Sequence, residues 1–128
     1  MTFAGMESIA LAGGGDTATI ATGASLSSLD AGAGSDTLNT NDSANSLTIN
    51  ASAAGSVDGT TISSFETINT LAGADSITVN NSATALTLNT GDGTDSLTST
   101  TTADTLSISG ANSGTLGSIA FSNLESVT

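Results

Sequence analysis

The chain contains no lysine, arginine or histidine, while 12 Asp and Glu residues give a formal net charge of −12 over 128 residues. Without cations it has nothing to displace counterions from a phosphate backbone, so nucleic-acid binding is excluded. It also lacks the basic anchors that hold proteins on anionic lipid. Absent cysteine removes disulfides and is compatible with either redox compartment. Proline, tryptophan and tyrosine are missing too. No apolar run approaches the roughly 20 residues that span a bilayer, so no membrane insertion is expected. Residues 1–30 hold neither a basic region nor an apolar stretch of the secretory kind, so export would use another route or a part of the protein outside this sequence.

What the chain has is periodicity. One constant shift carries Glu7 onto Glu66 and Glu66 onto Glu125, Asp16 onto Asp75, Asp36 onto Asp95, and Leu47-Thr48-Ile49 onto Leu106-Ser107-Ile108, without a gap. Such self-similarity marks a repeat architecture in which each unit buries its apolar face against its neighbours. The units are 7–65 and 66–124, with 1–6 and 125–128 as partial repeats of one domain over 1–128. Low aromatic content invites a disordered reading. Yet 37% of residues are hydrophobic, and a disordered tract has no reason to keep Leu and Ile in register.

Within the unit an aliphatic residue recurs at nearly constant spacing, at Ile9, Leu29, Ile49, Ile68, Leu88, Ile108 and Val127. Segments such as Ser46-Leu47-Thr48-Ile49 and Ala85-Leu86-Thr87-Leu88 alternate polar with apolar residues, which predicts half-buried strands. Abundant β-branched residues and 15 glycines disfavour helix. The expected fold is all-β, a parallel β-solenoid of about six coils of 19–20 residues, three to each 59-residue unit. With coils about 4.8 Å apart it would form a rod roughly 30 Å long. The aliphatic positions become stacked core columns.

The first two coils of each unit carry Gly-x-Asp elements, Gly14-Gly15-Asp16, Gly34-Ser35-Asp36, Gly73-Ala74-Asp75 and Gly93-Thr94-Asp95. Stacking sets Asp16 on Asp36 and Asp75 on Asp95. Carboxylates about 5 Å apart repel by roughly 1 kcal/mol in water and several times that when partly desolvated. A divalent cation would reverse that sign, and calcium takes six to eight oxygen ligands of this kind. Alternatively these aspartates are solvated turn residues that cap their own backbone.

AGAGSDTLN (31–39) and TGDGTDSLT (90–98) resemble the glycine–aspartate nonapeptide of RTX calcium-binding β-rolls at all but the first glycine; LAGGGDTAT (11–19) and TLAGADSIT (70–78) match more loosely. The resemblance implies that Asp16, Asp36, Asp75 and Asp95 ligate Ca2+, with glycine-turn carbonyls completing the shell. The chain departs from RTX rolls in holding one nonapeptide per coil rather than two, and its third coil has Ser56 or Thr115 in place of the aspartate. Any calcium would therefore sit on one edge. Phe65-Glu66-Thr67-Ile68-Asn69, Met6-Glu7-Ser8-Ile9 and Leu124-Glu125-Ser126-Val127 are similar to repeats of bacterial surface-layer proteins and giant adhesins. That likeness implies an extracellular or cell-surface location and calcium-dependent assembly.

The recurring glutamate is harder to place. Coil alignment sets Glu66 on core-facing Leu47, and a buried carboxylate without a cation is costly. Either the strand bulges, so that Phe65 fills the core and Glu66 turns outward, or the glutamate is protonated or holds a cation. The shorter third coil and the Phe65/Met6/Leu124 column favour the bulge.

With only carboxylates and hydroxyls available, and those in periodic ladders, no enzyme is expected. The leading expectation is a structural module of a filament, surface layer or adhesin. Residues 1–10 and 119–128 align, so subunits stacking head to tail, or a longer array, would continue the register. A cell-surface or matrix polysaccharide is the further partner such a role suggests. The alternative is a ligand-binding solenoid, such as an ice-binding or carbohydrate-binding module, with Thr17, Thr19, Thr37, Thr78 and Thr98 as partial columns.

Overall fold

A computed structural model describes residues 7–50, 54–81 and 85–128. These residues form strands and turns, with no helix among them. The alternating segments around Leu47 and Leu88 are strands, as the sequence suggests. The first unit contributes β1 (Ser8–Ala10), β2 (Gly13–Gly14), β3 (Thr17–Thr19), β4 (Ser28–Asp30), β5 (Ala33–Gly34), β6 (Thr37–Asn39), β7 (Ser46–Ile49), β8 (Gly55–Val57) and β9 (Thr60–Ser63). The second contributes β10 (Thr67–Asn69), β11 (Ala72–Gly73), β12 (Ser76–Val79), β13 (Leu86–Asn89), β14 (Asp92–Gly93), β15 (Ser96–Ser99), β16 (Leu106–Gly110), β17 (Ser113–Leu116) and β18 (Ile119–Ser122), and β19 (Ser126–Val127) follows.

Two large sheets result. One has eight strands in the order β1-β4-β9-β8-β7-β12-β15-β19, the other seven in the order β16-β17-β18-β13-β10-β6-β3. Consecutive crossings swing the chain between them, and the short ladders β2-β5 and β11-β14 tie the crossings together. Close backbone approach there requires glycine. Gly91 has φ +83°, and a Cβ on it would lie 1.6 Å from the Leu71 carbonyl oxygen; Gly32, at φ +92°, would meet the Ala12 oxygen at 1.9 Å.

The expected coil-to-coil parallel register holds where the Gly-x-Asp elements lie. Ile9 pairs with Leu29, Ala18 with Leu38, Ile68 with Leu88 and Ile77 with Leu97. It fails in the third coil. Asp58 (φ +48°) and Gly59 (φ +86°) reverse the chain, so that β7, β8 and β9 form an antiparallel meander in place of a coil. Asp-Gly between alternating strands is a strong hairpin signal, because both positions accept positive φ. The equivalent turn at Gly117 folds β16, β17 and β18 the same way. The expected single aliphatic column therefore divides: Leu29 pairs with Ile9 and Ile62, Ile49 with Val79 and Gly55, and Ile68, on the other sheet, with Leu38 and Leu88. Ile108 is 62% exposed on the edge strand β16 rather than buried.

The meander has a further consequence. Each unit makes five crossings, an odd number, so moving by one unit exchanges the sheets. Strand β1 lies in the eight-stranded sheet, its equivalent β10 in the seven-stranded one, and β19 in the eight-stranded one again. Across the meander the parallel offset lengthens by half a coil, with Leu38 on Ile68, Leu47 on Ile77 and Leu97 on Val127. Side chains from both sheets share one core, in which Leu38, Leu47, Ile62, Phe65, Ile77, Leu88, Leu97 and Ile119 are almost wholly buried. Phe65 fills that core as the bulge reading expected, and Leu124 repeats it. Met6 lies outside the described residues.

Candidate functional site: a carboxylate ladder

Each Gly-x-Asp element ends a crossing and opens a strand, so its aspartate sits at the shoulder between the two. Asp36, Asp75 and Asp95 are buried at this shoulder, with relative exposures of 1%, 2% and 0%; Asp16, beside the sheet edge, is half-buried. Their backbone amides explain why. Asp36 Oδ1 accepts the N–H of Asp16 at 2.7 Å, and Asp95 Oδ1 accepts the N–H of Asp75 at 2.8 Å. The predicted stacking of Asp16 on Asp36 and of Asp75 on Asp95 is therefore present, with a carboxylate of one level capping the amide of the next.

The ladder extends beyond the aspartates. Glu66 Oε2 accepts the Asp36 N–H at 2.8 Å, Glu125 Oε2 accepts the Asp95 N–H at 2.8 Å, and Asp75 Oδ1 accepts the Asn45 N–H at 2.8 Å. Two rows result, Asp16–Asp36–Glu66 and Asn45–Asp75–Asp95–Glu125. Glu66 thus lies beside Asp36 and not on Leu47, whose strand partners are Ile77 and Val57. It turns away from the core, and its longer side chain reaches an amide across the lengthened offset. Coil-by-coil alignment hides this partnership. Glu7 offers its carbonyl to the amides of Ser27 and Ser28, and its side chain is exposed.

Each buried aspartate spends one oxygen on the ladder. The other, Oδ2 of Asp36, Asp75 and Asp95, is buried without a hydrogen-bond partner. Leaving such an atom unsatisfied costs about 1–3 kcal/mol, more when it is charged. The chain supplies no cation to compensate. Burial accordingly pushes the Asp95 carboxyl above its ordinary pKa, with the charges of Asp75 and Glu125 adding to the rise, against lowering by the hydrogen bond from the Asp75 N–H and by the nearby Thr90 hydroxyl.

For calcium the fit is partial. The orphaned oxygens are suitable donors, one per level. The turn carbonyls expected to join them are engaged, because the Ala12 oxygen accepts the Ala33 N–H and the Leu71 oxygen accepts the Asp92 N–H. Among the described residues no group of three or more acidic side chains converges as a metal cluster would.

Other buried polar groups also serve stacking. Thr40 and Thr70 donate to the carbonyls of Thr70 and Thr90, each at 3.0 Å, and Thr90 donates to the Asn123 carbonyl at 2.7 Å. Nearer the surface, half-buried Asn69 donates to Asn39 at 2.8 Å and exposed Asn80 to Asn50 at 2.9 Å. On the seven-stranded sheet Thr17, Thr37, Thr67 and Thr87 stand in register, and Ala120 ends the column. Thr78 and Thr98 pair on the other sheet, where Thr48 joins them, whereas Thr19 faces Asn39. Neither the buried threonine column nor the carboxylates of Glu66 and Glu125 emerge as ladder members from a coil-by-coil alignment. Their signal is the longer offset, which becomes visible only once the meander is recognised.

Comparison with known proteins adds no relative: no family model, curated protein or solved structure matches this chain.

Proposed function

We propose that this chain is a structural module, a β-solenoid segment of an extracellular filament, surface layer or adhesin that assembles by end-to-end stacking and is stabilised by calcium on its carboxylate ladder. One observation carries the reading. The buried polar side chains spend their hydrogen bonds on neighbouring strands: Asp36, Asp75 and Asp95 on backbone amides, Thr40, Thr60, Thr70 and Thr90 on carbonyls. Chemistry spent on stacking suits a scaffold, whereas a reactive site aims its polar groups at a substrate. Two regular parallel offsets, Ile9 on Leu29 and Leu38 on Ile68, further support a wound chain whose ladders repeat along one axis.

In this reading calcium sits separately on the two rows, joining the orphaned oxygens of Asp75 and Asp95 in one and resting on that of Asp36 in the other, with water filling the remainder of each shell. Asp16, on the outermost level of its row, is the weakest contributor. A cell-surface polysaccharide remains the proposed external partner. Calcium titration followed by circular dichroism and by sizing tests the cation arm. A rise in thermal midpoint of several degrees and a larger species, both reversed by EDTA, are expected. If neither signal responds to calcium, the cation reading fails and only the scaffold remains.

A further inference from the structure

The edge strand β16 presents apolar side chains to solvent, with Leu106 46% and Ile108 62% exposed. Exposed apolar edges are sites of strand addition, and proteins ordinarily blunt them. The molecule itself contains the arrangement that covers this one. Strand β7 is the equivalent of β16 one unit earlier, and Leu47 and Ile49 are buried beneath β12, pairing with Ile77 and Val79. The equivalent of β12 one unit earlier is β3, which is the opposite edge of the sheet that β16 bounds.

We propose that β16 is the docking edge for β3 of a second copy of this chain, added in parallel with Leu106 opposite Ala18, Ser107 opposite Thr19 and Ile108 opposite Ile20. This rests on the end-to-end stacking proposed above and names the strands that perform it. The register is that of β7 on β12 moved by one repeat. In the other sheet, β1 of the second copy then lies on β15 as β10 lies on β6. There it takes the place held by β19, whose pairing to β15 is only Ser126 on Ser96 and Val127 on Leu97. Glu7 of the second copy becomes the acceptor for the Asp95 N–H, as Glu66 is for Asp36. The joint differs from its internal counterpart at one point. Asp104 stands where Asn45 does, facing Asp16 of the second copy, and two highly acidic chains repel. Association is therefore expected at about 0.15 M salt or above, where the screening length is about 8 Å.

Cysteine cross-linking tests the register in a chain with no cysteine of its own. Thr19 and Ser107 are exposed, on opposite edges of a seven-stranded sheet. They lie about 29 Å apart at 4.8 Å per strand, far beyond the roughly 7 Å limit for a disulfide between Cα atoms. A bond between them can only join two copies. The Thr19→Cys, Ser107→Cys variant should yield dimers and higher species on oxidation. Adding Ile108→Asp should abolish them with an unchanged circular dichroism spectrum, because Ile108 is solvent-exposed in the single chain. If sedimentation shows end-to-end association while the 19–107 disulfide fails to form, the docking edge is wrong and the stacking reading survives. A chain that stays monomeric at every concentration overturns both.

Discussion

Lowering the pH from 7 toward the ordinary carboxylate range should stabilise this protein, the opposite of the usual acid response. The Asp95 carboxyl titrates above its ordinary range, so the folded state binds its proton more tightly than the unfolded chain. Stability from that group is full below the unfolded value of about 3.9 and is lost as pH rises through the raised folded value. Asp30 works in the other direction. Hydrogen bonds from Ser64, Ser63 and the Gly32 N–H hold its carboxyl low, so its contribution is lost only as pH falls through that lowered value. Between neutrality and the ordinary carboxylate range the contribution of Asp95 therefore sets the sign. Asp95→Asn keeps the Oδ1 acceptor for the Asp75 amide and removes the buried charge. Its amide nitrogen replaces Oδ2 and is itself unpaired, so the net gain at pH 7 should be about 1 kcal/mol, with a flatter pH profile. That corresponds to several degrees in thermal midpoint, at about 3–5 °C per kcal/mol for a chain of this size. Asp95→Ala should destabilise at every pH, because the Asp75 N–H is then buried without an acceptor. Thermal melts between pH 4.5 and 7.5 read all three.

The second large effect separates two residues that the sequence period treats as equals. Leu88 and Ile108 fall in the same aliphatic column, yet Leu88 is 0% exposed and Ile108 62%. Leu88→Ala removes a side chain held between Ile68 and Phe121 on neighbouring strands, and should cost about 2–5 kcal/mol. Ile108→Ala changes a solvated edge and should fall within about 0.5 kcal/mol of the parent in monomeric protein. Urea denaturation at low protein concentration measures both. Equal losses would mean that Ile108 is buried and the meander misplaced.

Those two residues also show what the chain makes legible. Alternation locates the strands around Leu29, Leu38, Leu88 and Leu97, because one apolar side chain in two is what a half-buried strand requires. The Gly-x-Asp spacing locates the shoulder, since only a fixed coil length brings Asp36 beneath Asp16 and Asp95 beneath Asp75. The third coil misleads because its length fits one coil while Asp58-Gly59 makes it a hairpin. Turn chemistry outweighs periodicity there, and with the turn goes the pairing of Glu66 with Asp36. Phe65 can be placed in the core by size alone. The orphaned Oδ2 atoms cannot be foreseen, because they depend on which oxygen the neighbouring amide selects.

Electron microscopy of the whole chain at about 0.15 M salt tests the scaffold reading most directly, since repulsion between copies is then screened. Fibres one molecule wide, lengthening with protein concentration and absent from the Ile108→Asp variant, are the expected result. Monodisperse single particles at every concentration, with and without calcium, would contradict it.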